Sequence, residues 1–369
     1  MRDLRAYLSS FPPEKEGARD CGYPFPKGYE NIRLVEYRAG GRRVYAFIGV
    51  PERAEESSCP CAVLVHGGGG QAYYEWVKKW TERGYVAIAP DFNGHMPVDE
   101  SRRSERDLSG GPEGYGSIGD AESEEPWMYF SVLNILRAAD IVSREKCADK
   151  NNVALCGISW GGFLSLSAAG VSDVFKAVSV VYSSAYISDS EWGREQGIGG
   201  LTAHGRELYD AHIDPQSYLA GITCPVFFAA GTDDTAFTMR NRKRTSDAVP
   251  ARKIFSYRLH FPHGHYVGWE GGESIAFTDS IFNGKALAVP RAKLCGKELR
   301  VQGEKGAAMT LVFTEEDFYG KDACVWEERA ITDGRIRLAG KERAFFVTSE
   351  SGGVRLSTDV MFPADEVRE

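Results

Sequence analysis

No stretch of this 369-residue chain is apolar for long enough to span a bilayer. The N-terminal run Met1-Arg2-Asp3-Leu4-Arg5-Ala6-Tyr7-Leu8 is broken by charges and leads into Pro12-Pro13-Glu14-Lys15-Glu16, so it lacks the apolar centre of a secretion signal. Basic clusters are missing as well. The 44 Lys and Arg are outnumbered by 52 Asp and Glu, and the formal charge of −8 carries no electrostatic footprint for nucleic acid. Metal spacings such as H-E-x-x-H do not occur, and Cys59-Pro60-Cys61 has no second ligand pair. No G-K-[ST] follows the glycine run at 67–70, which excludes a P-loop. The eight cysteines are dispersed, and Cys156 and Cys224 sit in or beside strand-like apolar runs, where a free thiol acts as a small hydrophobe. The expectation is a cytoplasmic, reduced protein with no metal and no other cofactor.

What is present is an ordinary globular composition in a chain longer than a single core usually supports, so a large domain plus a smaller one is expected. Residues 31–50 predict a hairpin turning at Gly40-Gly41. Ala62-Val63-Leu64-Val65 is a buried strand, Tyr73 to Arg83 has helical spacing, and Tyr85 to Asp91 is again a strand. That strand–helix–strand unit points to a parallel sheet. Further strands are predicted at 152–156, 177–182, 225–231 and 253–260, with helices at 127–145, from about 160, at 238–248 and at 273–282. Two irregular regions interrupt the rhythm, a polar insertion at 92–125 and a second at 186–220 that is a candidate cap over the site. After Pro290 the pattern changes to short alternating segments with glycine turns, the signature of a small β-sandwich. The expected division is 1–288 for an α/β doubly wound, mostly parallel sheet and 289–369 for the sandwich.

The chemistry is carried by Gly157-Ile158-Ser159-Trp160-Gly161, a G-x-S-x-G nucleophile elbow at the end of an apolar strand. Acyl transfer by a serine needs a base for its proton, an acid to orient that base, and donors for the oxyanion. Asp233-Asp234 follows a buried strand, and the loop Phe261-Pro262-His263-Gly264-His265 follows another, which gives the chain order Ser, Asp, His. Asp234 is the better acid by its place on the loop, with Asp233 left to stabilise the turn. Both His263 and His265 can serve as the base, and position favours His263; His260 belongs to the strand pattern and His66 reads as structural. The Trp160 amide, next to the nucleophile, and an amide of His66-Gly67-Gly68-Gly69-Gly70, with Gly68 the candidate, are the expected oxyanion donors.

As a set, several segments resemble the α/β-hydrolases grouped with acetyl xylan esterases and dienelactone hydrolases. They are His66–Gly70 with Glu75-Trp76-Val77, Arg83-Gly84-Tyr85-Val86-Ala87, Gly157–Gly162, Gly231-Thr232-Asp233-Asp234 and Pro262-His263-Gly264-His265-Tyr266-Val267-Gly268-Trp269. The likeness spans roughly residues 30–285. It implies serine-dependent hydrolysis of small esters, often acetyl groups on carbohydrate, and a Pro-His step carrying the base, which supports His263. The C-terminal part resembles the fibronectin-like sandwich appended to some of these enzymes. The insertion at 92–125 departs from the best-known members and leaves the alcohol part of the substrate open. The expected partner is a small-molecule ester such as an acetylated oligosaccharide, not nucleic acid or membrane, and a homo-oligomer is compatible with the sandwich as a dimerisation module. A peptidase on the same fold and a non-catalytic binding protein are the competing expectations. Trp192 and Trp269 are the aromatics expected to line a sugar site, and Trp326 is a weaker candidate platform.

Overall fold

The structure, a computed structural model, describes residues 3–53, 58–94, 96–98 and 126–363. Most of the insertion expected at 92–125 lies outside the described residues. A short helix α1 (Leu4–Ser9) and strand β1 (Arg19–Asp20) precede the hairpin β2 (Ile32–Ala39) and β3 (Arg42–Gly49). Gly40 and Gly41, at φ of 55° and 77°, make the turn that a side chain would strain. Then follow β4 (Cys59–Val65), α2 (Tyr74–Thr81), β5 (Val86–Pro90), α3 (Trp127–Val142), β6 (Ala148–Ile158), α4 (Trp160–Val171) and β7 (Phe175–Val181). The region 186–220 is built of short turns of helix, among them α5 (Glu191–Glu195) and α6 (Ala203–Leu208). Regular elements resume with β8 (Val226–Gly231), α7 (Met239–Ala248), β9 (Lys253–Arg258), α8 (His265–Glu270) and α9 (Glu273–Phe282).

These strands form one sheet in the order β1-β2-β3-β5-β4-β6-β7-β8-β9, parallel from β5 to β9 and antiparallel at the β1–β3 edge. The period of two along β4 explains the layers. Val63 and Val65 point into a core with α3 and α4 residues such as Ile135 and Phe163. Ala62 and Leu64 point the other way, into a core with Trp76 and Trp80 of α2 and Ile275 and Phe277 of α9. Both faces are covered, as the apolar strand runs require. Among the described residues no helix is long and apolar enough to cross a membrane.

The C-terminal unit is antiparallel and two-layered, as the alternating pattern predicts. Strands β10 (Arg291–Cys295), β11 (Glu298–Gln302) and β14 (Arg335–Arg337) make the small sheet. Strands β12 (Ala308–Thr314), β13 (Glu327–Ala330), β15 (Ala344–Ser351) and β16 (Val354–Ser357) make the other layer. Leu299, Val301, Leu311, Phe313, Phe345 and Val347 fill the space between the two layers. The second layer is continuous with the central sheet, because β16 pairs antiparallel with β9 at Ser357 and Phe255. Local pattern carries no information about such an edge pairing. Trp326 is buried against Phe318 and Phe346, so it belongs to the core and offers no open platform.

Candidate active site

The sheet reverses its winding between β5, β4 and β6, and the crevice at the C-terminal ends of the strands beside such a reversal is where α/β sheets hold ligands. His66–Gly70 leaves β4 there, and Ser159 leaves β6 next to it. Ser159 has φ 57° and ψ −122°, a conformation that costs a non-glycine residue about 1–3 kcal/mol and projects its hydroxyl out of the turn. The turn is held by the Ser159 amide donating to Val181 O at 2.8 Å. It is also held by sterics. A methyl on Gly161 would collide with the Val65 and His66 carbonyls, and one on Gly157 with the Gly161 carbonyl. Gly161→Ala should therefore cost more than about 3 kcal/mol in urea unfolding, because backbone rather than side chain would have to give way. A variant as stable as the parent would contradict this close approach.

Ser159, His263 and Asp234 come together although β6, β8 and β9 deliver them separately. His263 Nε2 lies 2.7 Å from Ser159 Oγ, and its Nδ1 lies 2.9 Å from Asp234 Oδ2. The imidazole is flanked by the Tyr182 ring at 4.7 Å and the Phe237 ring at 6.2 Å, the latter within 9° of parallel. Two ring contacts and two hydrogen bonds leave it one orientation. Asp234 accepts the amides of Ala236 (3.0 Å) and Phe237 (3.1 Å) at Oδ1. At Oδ2 it also accepts Arg242 Nη2 at 2.5 Å, from a guanidinium that is 1% exposed. Burial alone would raise the Asp234 pKa, but the Arg242 charge and the His263 bond bring it down to about 2.

His265 has a different place from His263. Its Nε2 accepts the Gly67 amide at 3.0 Å, so it braces the glycine loop and lines the same cavity as Ser159, while the bond to Ser159 Oγ is made by His263. His66 is wholly buried, with Nδ1 2.8 Å from Gly67 O and Nε2 accepting the Phe92 amide at 3.0 Å, as a structural histidine should be. Asp91 and Asn93 hold the other side of the loop. Asp91 Oδ2 accepts the Ala72 amide, and Asn93 donates to Gly70 O. His260 departs from expectation. It is not in the strand but in an exposed turn at φ 54°, 3.4 Å from Asp233. The chain after Pro262 also differs, since α8 starts at His265 where a loop was expected.

Burial lowers the pKa of both His66 and His265 to about 4. The sign follows from the unfolded chain, whose histidines bind protons near pH 6.5. Between pH 6.5 and 4 the unfolded state takes up protons that the folded state does not, so acid destabilises the fold. The thermal midpoint should fall by on the order of 3 °C from pH 6.5 to 5, and His265→Gln, which keeps an acceptor for Gly67 without titrating, should make that fall shallower.

A cavity of about 330 Å³ opens over the serine, lined by Gly68, Ser159, Tyr182, Trp192, Ala236 and His263 among others. Gly68 shares this cavity with Ser159, and Trp160 opens α4, at the end of a helix where amides point outward. Trp192 lines the cavity from the 186–220 region. Trp269 does not. It is buried, stacked on Trp76 and packed on Tyr73. Arg242, Tyr182 and Phe237 were not legible as site residues in the sequence. The only trace of Arg242 was an arginine within a helix that composition marks as polar, and its burial has no local signal.

Residues 27–194 match the acetyl xylan esterase (AXE1) family, and residues 124–270 match the prolyl oligopeptidase family. Among solved structures, an acetyl xylan esterase from Paenibacillus sp. is similar at 19% identity and a TM-score of 0.59, over 76% of this chain and 92% of that one. Acetyl xylan esterase 1 from Thermoanaerobacterium sp. gives 18% and 0.56 over the same shares, 76% and 92%. A puromycin-hydrolyzing peptidase from Mycobacterium tuberculosis gives 21% and 0.52, over 70% of this chain and 41% of that one. No curated protein sequence matches.

Proposed function

We propose, from the premise that this chain is an α/β-hydrolase, that it is a serine carboxylic ester hydrolase that removes acetyl or other short acyl groups from carbohydrate or small-molecule esters. The observation that carries this reading is the hydrogen-bonded chain Ser159–His263–Asp234 at 2.7 and 2.9 Å on the floor of a cavity of about 330 Å³. That volume suits a small acyl group better than a polymer.

In the proposed reaction Ser159 Oγ attacks the ester carbonyl carbon while His263 Nε2 takes its proton. Asp234 holds the Nδ1 proton and offsets the imidazolium charge. The Gly68 and Trp160 amides receive the oxyanion. Collapse of the tetrahedral adduct breaks the bond to the alcohol, which leaves with the proton from His263. A water then gives its proton to the same nitrogen and attacks the acyl-enzyme, and as the bond to Ser159 Oγ breaks His263 returns that proton to Oγ and the carboxylic acid leaves. The division at residues 288 and 289 and a reducing, cytoplasmic setting belong to this reading, the latter supported by eight cysteines none of which is paired.

The match of residues 124–270 to the prolyl oligopeptidase family favours a second reading, peptide hydrolysis by the same residues. A panel of acetylated sugars and chromogenic acetate esters run against aminoacyl-anilides separates them. The expected result is a kcat/KM at least about a hundredfold higher for the best acetate, given what the built contacts of a site contribute to selectivity. Preference for an anilide would reverse the assignment.

A further inference from the structure

The C-terminal β unit reaches the cavity wall through one carboxylate. Asp322, between β12 and β13, accepts the Glu191 amide at 2.5 Å through Oδ2 and Arg240 Nη2 at 2.5 Å through Oδ1, with Arg194 Nη2 at 4.0 Å. Glu191 opens α5, and the next residue is Trp192 of the cavity wall. Five residues of helix are unstable alone in water, and α5 is held by the Ser190 cap on the Gly193 amide at 3.0 Å together with Asp322 on the Glu191 amide. The position of Trp192 is therefore set by what anchors α5. Arg240 continues the connection from α7, donating to Tyr319 O at 2.9 Å and Asp189 O at 3.1 Å. On the same helix, Lys243 pairs with Asp359 at 3.3 Å, so the C-terminal unit grips α7 twice while Arg242, on its buried side, holds Asp234. The Trp192 ring meets Phe237 at 5.6 Å, and Phe237 stacks on His263.

Charge makes this anchor sensitive. Arg194, Arg206, Arg240 and Arg244 gather around two carboxylates, Asp189 and Asp322. Without Asp322, Arg194 and Arg240 would lose the carboxylate between them and repel. The Asp322 and Arg240 side chains are 19% and 16% exposed, which protects their pair from the screening that weakens surface ion pairs.

We propose that Asp322 is a positioning residue that sets the width of the substrate cavity by fixing Trp192, so that the C-terminal β unit determines which esters are accepted. This rests on the reading of the Ser159 cavity as the ester site. Asp322→Ala should let α5 relax, and the ratio of kcat/KM for an acetyl ester to that for a longer acyl ester of the same alcohol should fall about tenfold. Arg240→Met should give the same shift, and the double variant should add little to either, because both act on one contact. Trp192→Ala should move the ratio in the same direction directly. If Asp322→Ala does not fold, Arg240→Met carries the prediction.

The same ratio can be read without substrate, as labelling rates of Ser159 by short-chain against long-chain alkyl fluorophosphonates. A labelled parent with an unchanged ratio in both the Asp322 and Arg240 variants, or an equal loss on short and long probes, overturns the inference alone. A parent whose Ser159 takes no probe fails the underlying reading, and the inference falls with it.

Discussion

Replacing Ser159 with alanine should lower kcat for a chromogenic acetate ester by about a millionfold, to what an oxyanion pocket and binding alone provide. The side chain is 7% exposed and the backbone that strains it is set by Gly157, Gly161 and the Val181 carbonyl, so the fold should tolerate the change. Alanine also accepts the positive φ no worse than serine does. His263→Ala should cost nearly as much, and the double variant no more than either, since nucleophile and base act as one unit. His265→Ala is expected to be different in kind. It removes the acceptor of the Gly67 amide and loosens the loop that carries Gly68, a loss of about tenfold in kcat with Ser159 still reactive to a fluorophosphonate. Equal loss in the two histidine variants would mean that the glycine loop is as indispensable as the base. Full activity in Ser159→Ala would end the serine mechanism.

The contrast between the two histidines shows where local pattern stops. Strands β4 and β8 and the second half of β6, from Val153 to Ile158, are apolar runs, so the strand ends that bear Ser159 and Asp234 can be read from residue order alone. His263 and His265 lie two residues apart, and the place of His263 directly after Pro262 favours it without saying what holds either ring. That is decided by Gly67, 198 residues before His265, whose amide takes that ring, and by Tyr182 and Phe237, which flank the other. Trp192 and Trp269 diverge for the same reason. Each is an aromatic in a glycine-containing context, and only packing against Trp76 and Tyr73 sends the second into the core. The junction of β16 with β9 is likewise a meeting of residues 255 and 357 that no periodicity announces.

Arg242 is the case with the largest energetic consequence. Its guanidinium is bonded to Asp234 Oδ2 and to Gly231 O at 3.0 Å, and the two side chains are buried, 1% and 2% exposed. Burying two charges costs several kcal/mol per ion, offset here by their attraction and by the amides of Ala236 and Phe237. Removing one partner leaves the other uncompensated. Arg242→Met, which keeps most of the volume, should therefore lower unfolding stability at pH 7 by about 3–5 kcal/mol. The dependence on pH distinguishes a charge effect from a packing effect. In the parent, Asp234 is held down to about 2, so its ion pair stabilises the fold above the unfolded carboxyl pKa of roughly 3.9 and is lost as pH falls toward 2. In the variant, burial dominates and the carboxyl pKa rises above its unfolded value, so protonation relieves the fold instead of weakening it. The stability gap between parent and variant should be widest at neutral pH and narrow as pH falls through 4. Catalysis should report the same change, because a protonated Asp234 no longer orients His263. The acid limb of kcat against pH should move upward in Arg242→Met, and Arg242→Lys, which keeps the charge but not the two-armed reach to Gly231 and Asp234, should fall between them. A stability loss with an unmoved acid limb would reduce Arg242 to packing and leave His263 and the backbone amides as the whole support of the acid.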